Sequence, residues 1–152
     1  MSAPTKDQAA PVKKKRVNSK AKGSGFENTI AKLLSKTFAP LNFMRSPGSG
    51  ARVGGKNFET FGKMFGEDAL KIFTSDVVCL NERDTGINFL HSIECKFYKT
   101  PDSFPSLFTS KANIYGWFKE SEIDALKTGK NPILIFKWNN TPIFIAVSSD
   151  TV

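Results

Sequence analysis

Residues 71–98 read KIFTSDVVCLNERDTGINFLHSIECKFY, and this stretch decides the fold. Its two ends, 71–80 and 89–98, have the apolar and β-branched character of strands. The polar segment 81–88 between them contains the turn signal DTG. We therefore predict two neighbouring strands that are joined by one short loop.

Acidic side chains interrupt both predicted strands. Asp76 stands inside an apolar run, and the alternation of a strand places Glu94 and Lys96 on one face. Two carboxylates that come close together repel each other and gain stability from a hard divalent cation. A lysine beside them can position a water molecule and neutralise phosphate charge as the ammonium, or deprotonate the water as the neutral amine. The alternative is an ordinary salt bridge between strand residues.

An amphipathic helix is predicted before these strands, over residues 24–38 and ending ahead of Pro40. Glu27 falls on the apolar stripe of this helix, above Leu34. Carboxylates in such positions are usually paired or bound to metal, so Glu27 is a candidate for completing a metal shell. The alternative is a first-turn acid that the helix dipole favours.

The rest of the chain completes an α/β pattern. A second helix is predicted over 110–127 with Gly129 as its C-cap, and two further strands are predicted at 133–138 and 143–147. Residues 58–70 are interpreted as a short helix or an irregular insert. The order helix, strands, helix, strands predicts a mixed central β-sheet flanked by helices.

Positive charge is concentrated at the N-terminus. The net charge is +8, and residues 1–24 hold seven Lys/Arg against one acid, which leaves +2 for the other 128 residues. We predict a disordered basic tail over 1–22 and a folded domain over 23–152. Such a tail favours nucleic acid as partner, and its alternative role is a solubilising arm. Its DNA-binding candidates are Lys13, Lys14, Lys15 and Arg16, which also resemble a nuclear localisation signal.

Residues 45–57 form a second basic segment, rich in Gly and Pro. We interpret it as a loop that brings backbone amides and the cations Arg45, Arg52 and Lys56 to phosphates. It lacks the Gly-Lys-Ser/Thr ending of a Walker A loop.

Composition excludes several other mechanisms. The single histidine, His91, rules out a histidine-based nuclease and a His-rich zinc site, and we expect it to be a satisfied sheet residue on the face opposite Glu94. Cys79 and Cys95 lack zinc-site spacing and are predicted to be buried, reduced thiols. No apolar run approaches a membrane span and no secretory signal is present, so we expect an intracellular, DNA-associated protein, in the host cytoplasm if the source is viral or prokaryotic.

At these residues the chain resembles the PD-(D/E)xK nuclease superfamily, through SDVV at 75–78 and IECK at 93–96. Within that superfamily it is most similar to the archaeal-type Holliday junction resolvases. The segments that carry this similarity are KGSGFE at 22–27, RSPGSG at 45–50 and NPILIFK at 131–137. The chain departs from the family in a longer segment between residues 51 and 74, and in Ser-Asp where the family name has Pro-Asp.

The resemblance implies a restriction-endonuclease-like core and a homodimer that cuts two opposed strands of a four-way junction with Mg²⁺, for which Mn²⁺ can substitute. By motif position Glu27, Asp76 and Glu94 would bind the metal and Lys96 would assist the water. Ser46 and Ser49 would belong to the loop that contacts DNA. No small-molecule cofactor or membrane partner is implied.

Other functions of the same residues stay open. The substrate can be branched or duplex DNA, and related nucleases act as nicking, restriction, homing or repair enzymes. A third alternative is a non-catalytic nucleic-acid-binding protein. The clustered carboxylates argue against it, because they would repel phosphates. A surplus of aromatic residues favours a dimer over a monomer. These residues are Phe104, Phe108, Tyr115, Trp117, Phe118, Trp138 and Phe144.

Overall fold

A mixed five-stranded sheet forms the centre of the protein in a computed structural model that describes residues 18–47 and 74–149. The strands lie in the order β1-β2-β3-β4-β5. β3 and β4 are parallel, and the other neighbouring pairs are antiparallel. The bounds are Phe43–Arg45 for β1, Val77–Cys79 for β2, His91–Tyr98 for β3, Asn131–Trp138 for β4 and Phe144–Val147 for β5. This arrangement confirms the predicted α/β class with a mixed central sheet.

Helices cover both faces of this sheet. α1 spans Ser19–Thr37, the short α2 spans Glu82–Thr85, and α3 spans Asn113–Thr128. A 3-10 helix at Phe104–Phe108 lies in the connection between β3 and α3. None of the helices in the described ranges has the length and apolarity that a membrane crossing requires.

α1 begins five residues before its predicted start. Asn18 caps it, because its side chain accepts a hydrogen bond from the Lys20 N–H at 3.0 Å. The assignment of residues 19–22 to a disordered tail is therefore wrong, since they form the first turn of the helix. Asn18 was not recognised as a helix cap, because the glycines at 23 and 25 that follow it disfavour a helix. The remainder of the predicted tail lies outside the described residues.

Each face of the sheet has its own hydrophobic core. On one face Phe26 and Ile30 of α1 pack with Ile93 and Cys95 of β3. On the other face Trp117 of α3 packs with a group from β4, namely Leu134, Phe136 and Trp138. Because successive strand residues point to opposite faces, β3 sends its odd-numbered side chains towards α1 and its even-numbered ones towards α3.

The strands around the predicted loop are shorter than the sequence indicated. The predicted strand over 71–80 contains β2 only at Val77–Cys79, and residues 71–73 lie outside the described ranges. The expected turn forms the last part of α2, which ends at Gly86 in the left-handed region with φ 69°. β1 was not predicted, because a three-residue strand gives little pattern before a Gly-rich segment. It pairs with β2, with Phe43 opposite Cys79.

The second half of the chain follows its prediction closely. α3 ends at Gly129, whose φ of 63° is the left-handed C-cap that the sequence indicated. β4 and β5 form the expected antiparallel hairpin. Both cysteines are free thiols; Cys95 is buried as predicted, whereas Cys79 is only half-buried. The predicted insert over 58–70 lies outside the described residues.

Candidate active site

Asp76, the residue immediately before β2, is held by three hydrogen bonds. Its backbone N–H donates to the Ile93 carbonyl at 2.8 Å, and its carbonyl accepts from the Ser46 N–H at 2.8 Å. Its side-chain Oδ2 accepts from the Cys95 N–H at 2.8 Å. The carboxylate thus satisfies a β3 amide that faces β2, and this contact fixes the buried side chain beside β3.

Glu94 and Lys96 project from β3 on the face that α3 covers. Lys96 Nζ lies 2.8 Å from Glu94 Oε1 and 3.2 Å from Glu120 Oε2 of α3. Glu94 and Lys96 therefore lie on one face of the strand, as predicted, and form a direct ion pair there. Glu120 anchors the ammonium group from the neighbouring helix.

The Glu94 carboxyl group is destabilised in its charged form. Burial and then the charge of Asp76 raise its pKa to about 7, although the ammonium of Lys96 opposes this shift. Burial alone would lower the pKa of Lys96, but the carboxylates of Glu94 and Glu120 outweigh it and raise that pKa. The carboxyl groups of Asp76 and Glu94 therefore act on each other beside a firmly protonated lysine.

Glu27 has a different partner. Its Oε2 accepts a hydrogen bond from Arg45 Nε of β1, and this ion pair accounts for the carboxylate on the apolar stripe of α1. The neighbouring Ser46 is fully buried, and its backbone N–H supports Asp76. The side chain of Ser46 is therefore shielded from solvent in the DNA-free protein, and its contact with DNA stays a prediction.

Cys95 lies within electrostatic reach of all three predicted acids. Burial raises its pKa well above the usual value, and Asp76, Glu94 and Glu27 add to the shift in that order. In residues 18–47 and 74–149, however, no group of three or more His, Cys, Asp or Glu side chains is arranged to hold a metal ion. The acids thus converge as a close pair, Asp76 and Glu94, with Glu27 bound to Arg45 at its side.

The donor set nevertheless suits a hard cation. Mg²⁺ usually keeps several waters and takes one or two carboxylates together with substrate phosphate, so two carboxylates are a sufficient protein contribution. Asp76 and Glu94 offer oxygen ligands only. Their mutual repulsion, visible in the raised pKa of Glu94, is the kind of strain that a divalent cation relieves.

Two acids of α3 were missed by sequence reasoning. Glu120 binds Lys96, and Asp124 contributes to raising the pKa of Glu94. Their spacing of four residues places them on one side of a helix, which is the signal that was available. That this side faces β3 depends on the packing of α3, which the spacing alone does not give.

His91 differs from its prediction in one respect. It lies in β3 as expected and packs edge-on against Phe89, with ring centroids 5.5 Å apart. Its Nδ1 is buried and makes no hydrogen bond within the described part of the chain, so the expectation of a satisfied side chain is wrong. Burial and then Lys130 lower its pKa, which keeps the ring neutral.

The predicted aromatic surplus divides into two groups. Trp117 and Trp138 are buried in the core beneath α3. Phe104 and Phe108 are 72% and 76% exposed and contact each other, with ring centroids 5.1 Å apart. Core packing therefore uses part of the surplus, and the remainder lies on the surface.

Most of the predicted DNA-binding residues fall outside the described ranges. They are Lys13, Lys14, Lys15, Arg16, Ser49, Arg52 and Lys56. Arg45 is described and half-buried, and its guanidinium contacts Glu27.

A family described as "Phage putative PDDEXK endonuclease" matches residues 18–152. The match spans α1, all the strands described above and α3, and it includes Glu27, Asp76, Glu94 and Lys96. No curated protein and no solved structure matches the chain.

Proposed function

Because the chain belongs to this phage PDDEXK endonuclease family, we propose that it is a metal-dependent DNA endonuclease that hydrolyses phosphodiester bonds. The family match supports a nuclease of the PD-(D/E)xK superfamily. Asp76 and Glu94 would hold Mg²⁺, or Mn²⁺ in its place.

The observation that carries this proposal is the state of Glu94. A largely buried carboxyl group whose pKa is raised to about 7 beside a second carboxylate lowers the stability of the fold. Such groups cluster at functional sites. An ordinary strand salt bridge, the alternative considered for Glu94 and Lys96, does not need Asp76 in the same place. Two neighbouring carboxylates that offer only oxygen ligands support the proposal of a cation site.

The protein residues supply positioning and charge. A bound Mg²⁺ would polarise the phosphodiester and lower the pKa of a water molecule. Lys96 stays protonated because its pKa is raised, so it donates hydrogen bonds and neutralises phosphate charge instead of removing a proton. Glu120 holds the ammonium of Lys96 in position from α3.

Glu27 belongs to this proposal in a secondary role. Its carboxylate is neutralised by Arg45, so it would reach the metal only if Arg45 turns to the DNA phosphate. Glu27 and Arg45 would then exchange partners when substrate binds. Loss of Glu27 is therefore expected to cost less activity than loss of Asp76 or Glu94.

A four-way junction cut by a homodimer is the substrate we propose, on the strength of the resolvase-like motifs at 22–27, 45–50 and 131–137. One set of Asp76, Glu94 and Lys96 per chain makes one cut, and two opposed cuts need two chains related by a two-fold axis. The exposed apolar side chains of β5 and of the Phe104–Phe108 segment offer surface for such pairing. The alternative is a nicking, restriction, homing or repair endonuclease of the same fold.

Cleavage of four-way junction, linear duplex and flapped DNA tests the proposal. Each substrate is incubated with full-length protein and Mg²⁺, with Mn²⁺, or with excess chelator. Paired cuts in the junction that need the metal are expected. Full activity in chelator would overturn the metal mechanism, and metal-dependent cutting of linear duplex in preference to the junction would leave a nuclease of a different specificity.

A further inference from the structure

Three lysines, which we call the Phe97 lysine cluster, come together on the face of the sheet opposite Glu94 and Lys96. They are Lys22 of α1, Lys137 of β4, and Lys99, the first residue after Tyr98 of β3. Lys22 Nζ lies 3.8 Å from the centroid of the Phe97 ring, and Lys137 Nζ lies 5.1 Å from it. Two ammonium groups are thus held against one aromatic ring.

Packing fixes this cluster in place. Lys22 Nζ donates a hydrogen bond to Asn139 Oδ1 at 2.7 Å, which ties α1 to the turn after β4. Phe97 packs against Phe26 of α1, with ring centroids 5.5 Å apart. The ring that supports the two ammonium groups is therefore anchored in the core beneath α1, and the ammonium positions depend on α1, β3 and β4 together.

The cluster borders an open cavity at the carboxyl ends of the two parallel strands. Phe97 of β3 stands opposite Lys137 of β4 in the parallel register, one residue beyond Lys96. The cavity has a volume of about 400 Å³ and is lined by Lys22, Phe97 and Lys137. Ligands of open α/β sheets bind at this end of the strands.

In the described ranges the charges of the cluster are not compensated, because no carboxylate lies within ion-pair distance of Lys22, Lys99 or Lys137. Burial, followed by the charges of Lys137 and Lys99, lowers the pKa of Lys22. Like charges held together cost free energy, and an anion bound among them would remove that cost.

We infer that Lys22, Lys99 and Lys137 form a phosphate-binding site for the DNA backbone, separate from the catalytic residues. The inference rests on the proposed function, because it names how the same enzyme holds its DNA. Because Phe97 and Glu94 lie on opposite faces of β3, the phosphate that the cluster binds is not the one that is cut.

Salt-dependent DNA binding by full-length protein tests this site. The variant Lys22→Gln/Lys99→Gln/Lys137→Gln is compared with wild type and with a control of equal charge change, Lys32→Gln/Lys36→Gln/Lys119→Gln. The control lysines are exposed on α1 and α3. Binding of a labelled duplex and a four-way junction is measured in chelator between about 50 and 200 mM salt. A Lys→Arg version of the cluster variant keeps the charge and checks that loss of binding is not loss of folding.

We expect the cluster variant to reduce the slope of log K against log salt by roughly two to three, since each lost phosphate contact reduces it by about 0.9. The control variant should change the slope by less than one, and the Lys→Arg version should bind as wild type does. In Mg²⁺ the cluster variant should have a higher KM, while its kcat stays within about threefold of wild type. The reason is that the lost contacts stabilise the bound substrate and the transition state equally.

Equal slopes for the cluster and control variants would overturn the inference, because net charge alone would then explain the binding. So would a Lys→Arg version that binds as weakly as the Lys→Gln version while its unfolding temperature matches wild type. Failure of the proposed function looks different. In that case wild-type protein cuts none of the three DNA substrates with Mg²⁺, whereas the binding comparison can still succeed.

Discussion

Asp76 and Glu94 are the residues on which activity is expected to depend most. Asp76→Asn and Glu94→Gln each remove one charge from the proposed metal-binding pair and keep the shape of the side chain. We predict a fall in kcat by several orders of magnitude for either variant, with junction binding in chelator largely retained. Glu27→Gln should cost clearly less, because Arg45 already neutralises that carboxylate. Single-turnover cleavage with Mg²⁺ measures all three.

Glu122→Gln is the matched control for these variants, since Glu122 is an exposed acid on α3. It should cleave as wild type does. If Glu27→Gln proves as damaging as Glu94→Gln, then Glu27 is a full metal ligand and its pairing with Arg45 does not persist in the complex with DNA.

The raised pKa of Glu94 predicts how stability changes with pH in the metal-free protein. Between the ordinary value of 4.5 and about 7, the folded state binds more protons at Glu94 than the unfolded state does. The contribution of Glu94 to the free energy of unfolding therefore falls as the pH rises through this window, by at most about 1.4 kcal/mol per pH unit. Above about pH 7 Glu94 is ionised in both states, so its contribution to the free energy of unfolding no longer changes with pH.

Glu94→Gln removes this titration, so it should stabilise the metal-free protein at pH 8 relative to wild type more than at pH 5, by roughly 1–3 kcal/mol. Urea unfolding in chelator at the two pH values measures the difference between the proteins. A difference that is the same at pH 5 and pH 8 would show that Glu94 titrates normally. Added Mg²⁺ should stabilise wild type more at pH 8, where the carboxylate is free to bind it.

At the residue scale the sequence predicted the acids better than their partners. The motif places Asp76, Glu94 and Lys96 together, because strand alternation and one short connection leave few arrangements. The contact between Arg45 and Glu27 was not predicted, because it joins α1 to a strand that the sequence pattern does not indicate. The burial of Ser46 has the same cause.

α3 contributes to the site through Glu120, which binds Lys96 from outside β3. Glu120 is 63% exposed, so its ion pair contributes about 1 kcal/mol or less. We predict that Glu120→Gln lowers kcat/KM by about fivefold at most, which corresponds to that free energy. The effect should shrink at high salt because the pair is screened. A loss as large as that of Glu94→Gln would mean that Glu120 acts directly on the substrate.

Elements with a long, regular pattern were predictable, whereas short ones were not. β3, β4 and α3 each have eight or more residues whose periodicity is set by the cores on either side of the sheet. β1 and β2 have three residues each and exist because they pair with neighbours. α1 extends to Ser19 because an Asn cap and tertiary packing outweigh two glycines, which local propensity disfavours.

The start of α1 at Ser19 alters the experiment on the basic tail. A deletion of residues 1–17 keeps the Asn18 cap and removes five Lys/Arg and one acid. We predict a slope of log K against log salt reduced by up to about four, because each phosphate contact contributes roughly 0.9. The free energy of unfolding should not change. Fluorescence anisotropy with labelled duplex across a salt series measures the slope.

The matched variant for this deletion is Lys13→Gln/Lys14→Gln/Lys15→Gln/Arg16→Gln in the full-length chain. It should reproduce most of the reduction, because the effect is one of charge. An unchanged slope in both proteins would leave a solubilising role for the tail. Since the Phe97 lysine cluster is intact in both, any remaining salt dependence reports on the folded domain.

The assembly of two chains is the property that distinguishes a junction resolvase from a generic nuclease of this fold. β5 is the last strand of the described sheet, and its Ile145, which is 66% exposed, lines one open apolar cavity together with exposed Leu90 and Phe38. An apolar sheet edge of this kind is a surface that a second copy of the chain can cover. We predict a dimer at micromolar concentration that Ile145→Lys converts into monomers, as measured by light scattering.

Leu126→Lys is the control, because Leu126 is 79% exposed on α3 and the substitution adds the same charge. It should leave the dimer intact. On a supercoiled plasmid with an extruded cruciform, wild type should linearise the plasmid by two cuts within the lifetime of one complex. Ile145→Lys should instead release nicked circles first, because each monomer carries one set of Asp76, Glu94 and Lys96. A wild-type monomer that only nicks would leave the proposed nuclease activity and metal site standing, and would remove the assignment to junction resolution.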